Sequence, residues 1–158
     1  MAREQGDREG ESVWLNDLGI IYANLGQIHR AVGFFEQAII IDRERNDKKN
    51  EGIRLSNLGN CYHELGQIRQ AIETYEQGIG IIKELKNKLV EGQLLGNLGS
   101  VLTTDGRYTE AILHLREAIE IGSELNTLSS NQQRYGILAR AYWFSGDISN
   151  AISAIRRA

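Results

Sequence analysis

The chain repeats itself every forty residues, four times over and without a gap, and this period limits what it can fold into more than any single motif does. Written in lines of forty, Leu18-Gly19, Leu58-Gly59, Leu98-Gly99 and Leu138-Ala139 fall into one column, and Tyr22, Tyr62, Leu102 and Tyr142 into another. Two columns have no exception: Gly26, Gly66, Gly106, Gly146 and Ala31, Ala71, Ala111, Ala151. A bulky column follows at Phe35, Tyr75, Leu115 and Ile155, then a small one at Ala38, Gly78, Ala118 and Ala158. Within each line the apolar residues sit at helical spacing. Leu55, Leu58, Gly59 and Tyr62 lie at i, i+3, i+4 and i+7 of one stripe, and Ile68, Ala71, Ile72, Tyr75 and Ile79 make a second. Each line is therefore two helices.

Proline is absent, so Gly and Asn must end the helices. The first stop is the Gly26 column. The second is Gly6, Asn46, Lys86 and Asn126, where Gly and Asn suit a left-handed backbone and Lys86 does not. The pattern predicts helices at about 11–25, 28–45, 51–65, 68–86, 91–105, 108–125, 131–145 and 148–158. Small residues at Gly19, Gly59, Gly99 and Ala139, facing the alanine column, let the two helices of a hairpin approach. Aromatic residues such as Tyr62 and Tyr75 fill the space between hairpins. One hairpin cannot bury its own stripe, whereas stacked hairpins make a continuous core.

The stretch LSNLGNCYHELGQIRQAIETYEQG from Leu55, written L-x-x-L-G-x-x-Y-x-x-x-G-x-x-x-x-A-x-x-x-[FY]-x-x-[AG], resembles the tetratricopeptide repeat, and the resemblance covers essentially the whole chain. Forty-residue units carrying N-L-G-N are most similar to Leu-Gly-Asn repeat adaptors. They resemble kinesin light chains, and bacterial signalling ATPases with repeat sensor tails, more loosely. The usual unit has about 34 residues and ends in proline; here longer helices and a looser link take up the difference. The resemblance implies an all-α fold: a right-handed α-α superhelix of four helix-turn-helix hairpins. The chain reads as a single array over 1–158, with repeats at about 11–50, 51–90, 91–130 and 131–158. Arg3-Glu4 and Gly6-Asp7 precede Arg43-Glu44 and Asn46-Asp47 by forty residues, and Ala158 stops in the Ala38 column. Both ends thus read as cut from a longer array. Val13, Trp14 and Ile20 at one end, and Trp143 and Phe144 at the other, are expected to be exposed and open to self-association.

The repeated asparagine is the feature that points to function. At 100° per residue Asn57 and Asn60 lie opposite the Leu55–Tyr62 stripe. In the family that the chain resembles, the first helices line a concave groove, and the asparagine matching Asn57 holds the main chain of an extended peptide. An amide suits that task because it both donates and accepts. Asn97 carries the motif over, Asp17 changes it and Ile137 breaks it. The neighbouring columns are Asn16, Ser56, Gly96 and Gly136, then Ile20, Asn60, Ser100 and Arg140, with His63, Thr103 and Trp143 beyond. The expected peptide-binding residues are Asn16, Asn57, Asn60, His63, Asn97, Ser100 and Arg140, with Arg140 offering its planar fork to a carboxylate. The opposing account makes these residues solvated helix faces, with Asn57 and Asn97 bonded to a neighbouring helix.

Other chemistries lack support. A net charge of −3 provides no field for nucleic acid, and no apolar run approaches the roughly 20 residues of a membrane span. Cys61 is the only cysteine, which fits a reducing, cytoplasmic compartment. Cys61 and His63 diverge by about 200° and cannot share a metal. Cys61 is expected in the core, and His29 and His114 on the surface. No catalytic motif or cofactor site is expected. The partner is expected to be a protein or peptide. The alternatives are a structural, self-assembling repeat element and a sensor segment of a larger signalling ATPase.

Overall fold

Among the described residues, seven with positive φ divide the chain: Gly26, Asn46, Gly66, Lys86, Gly106, Asn126 and Gly146, at φ between 52° and 87°. Each closes a helix by turning the backbone left-handed, so that the next N–H groups reach back to the last carbonyls. At the first break Gly26 N donates to Ala23 O and Gln27 N to Tyr22 O, both at 2.9 Å. The computed structural model describes residues 2–158, with side chains for 8–127 and 129–158. Among these residues there are eight helices and no strand: α1 (Ala2–Asn24), α2 (Ile28–Glu44), α3 (Lys48–Glu64), α4 (Ile68–Glu84), α5 (Lys88–Asp105), α6 (Tyr108–Glu124), α7 (Leu128–Ser145) and α8 (Ile148–Ile155). The fold is all-α and built of four hairpins, as the period predicts.

Two expectations about boundaries are corrected. The helix starts predicted at 51, 91 and 131 fall about three residues late, because the caps lie upstream. Asp47 Oδ1 accepts from Asn50 N at 3.1 Å and Asn87 Oδ1 from Val90 N at 3.3 Å, each satisfying a donor that the first turn leaves orphaned. The stop expected at Gly6 does not occur: α1 passes through it. A glycine inside a helix costs about 1 kcal/mol, and its helix-forming neighbours outweigh that. The pairing of Arg3-Glu4 with Arg43-Glu44 concerns side chains outside the described residues.

The chain divides into two compact units, Met1–Leu85 and Lys86–Ala158. In the first, α1 packs on α2, α2 on α3 and α3 on α4, with α1 touching α3. In the second, α5, α6, α7 and α8 follow the same order and α5 touches α7. The glycine column serves the bulky column of its own hairpin rather than the alanines alone. A Cβ on Gly19 would stand 2.6 Å from the Phe35 ring, and one on Gly59 2.7 Å from that of Tyr75. Phe35, Tyr75 and Leu115 are fully buried as a result, each worth roughly 1.5–3 kcal/mol of apolar burial. Cys61 is buried as expected, whereas His114 is half-buried rather than open surface.

Polar groups are also buried where one hairpin meets the next. Asp42 on α2 accepts from Ser12 Oγ at 2.5 Å and faces Arg54 Nε of α3 at 3.5 Å. Burial dominates and pushes the Asp42 carboxyl above its ordinary range, against the pull of Ser12 and Arg54. In the second unit Arg134 of α7 donates to Ala118 O and Gly92 O, both at 2.8 Å.

Candidate functional site

In the first unit the site is built where α1 and α3 run side by side. The apolar stripe of α3 turns Leu55, Leu58 and Cys61 into the core, which leaves Asn57 and Asn60 half-buried and exposed on the opposite side. Asn57 Nδ2 donates to Asn16 Oδ1 at 3.0 Å, and Asn16 Nδ2 donates to Asp17 Oδ1 at 3.3 Å. Asn60 Oδ1 accepts from Tyr75 Oη at 2.6 Å. Asn16 is buried. The neighbouring-helix bond of the opposing account is therefore present for Asn57, and it holds the amide against α1 through one of its N–H groups.

Beside this pair lies a cavity of about 280 Å³ lined by Ile20, Asn24, Asn57, Asn60, His63 and Glu64, among others. Burial lowers the His63 pKa below its ordinary 6.5, against the raising effect of Glu64. The ring is neutral at pH 7. The Cys61 thiol behind it is pushed up to about 11, first by burial and then by Glu64, which leaves it an unreactive wall. The structure thus brings together Asn16, Asn57, Asn60 and His63. It adds Asn24 and Glu64, which the sequence reading left out. These two form one column, forty residues apart, in the last turns of α1 and α3. The signal for them in the sequence is that shared column, which lies on the face opposite the Leu55–Tyr62 stripe.

In the second unit Asn97 and Ser100 are half-buried on α5, and Arg140 is exposed on α7 with Trp143. Gly96, whose small size suggested an approaching ligand backbone, instead makes room for Arg134: a Cβ there would meet its Nε at 3.0 Å. Thr103 is buried and spends its hydroxyl on Gly99 O at 2.7 Å. Among the described residues no three of His, Cys, Asp and Glu gather where a metal could sit, and no helix is long and apolar enough to cross a membrane.

A family profile described as Tetratricopeptide repeat matches residues 11–84 and again 53–124, and a second of the same description matches 133–158. No curated protein matches in sequence. Among solved structures, BtubC (BKLC) from P. vanneervenii superposes at a TM-score of 0.86 with 19% identity, over 92% of this chain and 61% of that one. The kinesin light chain TPR-like repeats of Podosopora anserina give 0.75 and 22%, over 92% and 72%. A Rap protein complexed with Competence and Sporulation Factor gives 0.79 and 16%, over 92% and 41%. The chain spans less than two thirds of the first and third of these proteins. At such identities the likeness is one of fold.

Proposed function

Because the chain belongs to the tetratricopeptide repeat family, we propose that it is a protein-interaction module whose first helices hold an extended or partly helical peptide of another protein. The observation that carries this reading is the cavity beside α1 and α3, lined by Asn57, Asn60 and His63. It presents amide groups that can pair with a peptide main chain at an open surface. The likeness to a Rap protein complexed with Competence and Sporulation Factor supports a fold of this kind receiving a ligand. In the second unit Asn97, Ser100 and Arg140 extend the proposal, Arg140 toward an acidic group. The partner is a protein or peptide rather than nucleic acid or membrane, and the compartment a reducing, cytoplasmic one. Affinity follows from anchor quality more than from area.

The test is to pan the chain against a displayed library of extended peptides and to measure the selected peptides by fluorescence anisotropy. Asn57→Ala should weaken binding by roughly tenfold, the worth of about one well-made hydrogen bond, with helix content by circular dichroism unchanged. Asn97→Ala should do the same for peptides that engage the second unit. Full binding by both variants removes the groove as the site.

A further inference from the structure

The α1–α3 cavity has a sign. Glu64 lines it at the last residue of α3, and Asn24 lines it at the last residue of α1. Each helix end carries up to about half a negative charge from the aligned peptide dipoles of its helix. Two such ends therefore meet at one cavity that also holds a carboxylate. No lysine or arginine lines the cavity; Phe35 of α2 also lines it, and Arg30 of that helix is engaged over the Tyr22 ring at 5.5 Å and with Gln27 Oε1 at 3.0 Å. Residues 9–28 and 55–68 contain no lysine or arginine, and they add Asp17 to the acidic side. The cations of α3 are elsewhere: Lys48 is bonded to Glu51 at 2.8 Å, and Arg54 is buried against Asp42. Lys49 stands fifteen residues from Glu64, about 22 Å along the helix at 1.5 Å per residue. The histidine in the cavity is neutral, since burial lowers its pKa.

Size limits the occupant as well. About 280 Å³ falls just below the roughly 300–1,000 Å³ of sites that enclose whole small molecules, which suits one long side chain. Ile20 and Ala23 provide an apolar wall for its stem, and Glu64 with its carboxylate and Asn57 with its amide line the same cavity. Resting on the peptide-binding reading above, we infer that this cavity receives a basic side chain of the bound peptide. Arginine fits better than lysine, because its planar fork can divide its donors between Glu64 and the neighbouring amide and imidazole acceptors.

A carboxylate at a helix C-terminus is unfavourable for the helix itself. This separates the binding role from a structural one. Removing the charge with Glu64→Gln should leave the urea midpoint unchanged or slightly higher while binding falls, whereas a structural residue would lose stability.

The experiment uses the same displayed library, with selected peptides synthesised in matched forms carrying arginine, citrulline or glutamate at the enriched position. Enrichment of arginine or lysine at one position, a roughly tenfold to hundredfold loss on Glu64→Gln, and reversal of the preference toward glutamate on Glu64→Lys support the inference. Peptides that bind without a basic preference, or that bind Glu64→Gln as well as the parent chain, overturn it and leave the groove reading standing. A chain that selects no peptide overturns both.

Discussion

Lys86 is held at φ 52°, in the column where Asn46 and Asn126 stand at 57° and 55°. A left-handed backbone costs an ordinary L-residue roughly 1–2 kcal/mol, which glycine avoids and asparagine reduces. Lys86→Gly should therefore stabilise the chain by about 1 kcal/mol in urea denaturation, and Lys86→Asn by less. The misfit was visible in the sequence, yet the turn forms because the helices on either side are bound into cores that fix where the break must fall. His63 makes a second case at this scale. Its folded pKa lies below the ordinary 6.5 because of burial, so the proton binds the unfolded chain more tightly. Its share of stability is complete above pH 6.5 and is lost as pH falls from there toward the lowered value. His63→Gln should flatten the fall in unfolding free energy between pH 7 and pH 5 relative to the parent chain.

Between elements, the way one hairpin meets the next has more than one solution. Ser12, Asp42 and Arg54 meet as a buried polar cluster, and Asp42 Oδ2 and Arg54 Nε make no hydrogen bond there. Forty residues on, the Ser12 and Asp42 columns hold Gly52 and Ile82, and Ile82 fills the place where a Gly52 Cβ would stand, at 2.6 Å. Within the first unit the buried carboxylate of one helix thus has an apolar counterpart on another. Buried pairs are often matched or bettered by apolar groups of similar volume, while removal of one partner costs about 3–5 kcal/mol. The triple exchange Ser12→Gly, Asp42→Ile and Arg54→Leu should leave thermal stability equal or higher, whereas Asp42→Ile alone should lower it sharply. Omitting Ser12→Gly should forfeit the gain, since the Ser12 Cβ would meet the new isoleucine. Periodicity shows that these columns face inward; only the packed helices show that one joint is ionic.

At the scale of the whole chain, the residues left open are those whose counterparts the array covers. Trp14 is 75% exposed and Ile21 52%, whereas Arg54 and Cys61 in their columns are 6% and 3%. At the other end Ile155 is 61% exposed in a column that is otherwise fully buried. We propose that these faces associate with a second hairpin of the same kind. Molecular mass by sedimentation should then rise with concentration, and Trp14→Arg should hold it at that of one chain; a constant mass in the parent chain would dismiss the idea. The sequence by itself determined the period, the eight helices, the left-handed stops from Gly26 onward and the inward columns, because each is set by spacing within a helix and by local backbone preference. Tertiary structure decided what spacing along one helix does not carry: that Asn57 gives its donor to Asn16, that Asp42 meets Arg54, and that the ends of α1 and α3 close a cavity around Glu64. Those facts depend on which columns of different helices are brought within a few ångströms of one another, and packing sets that.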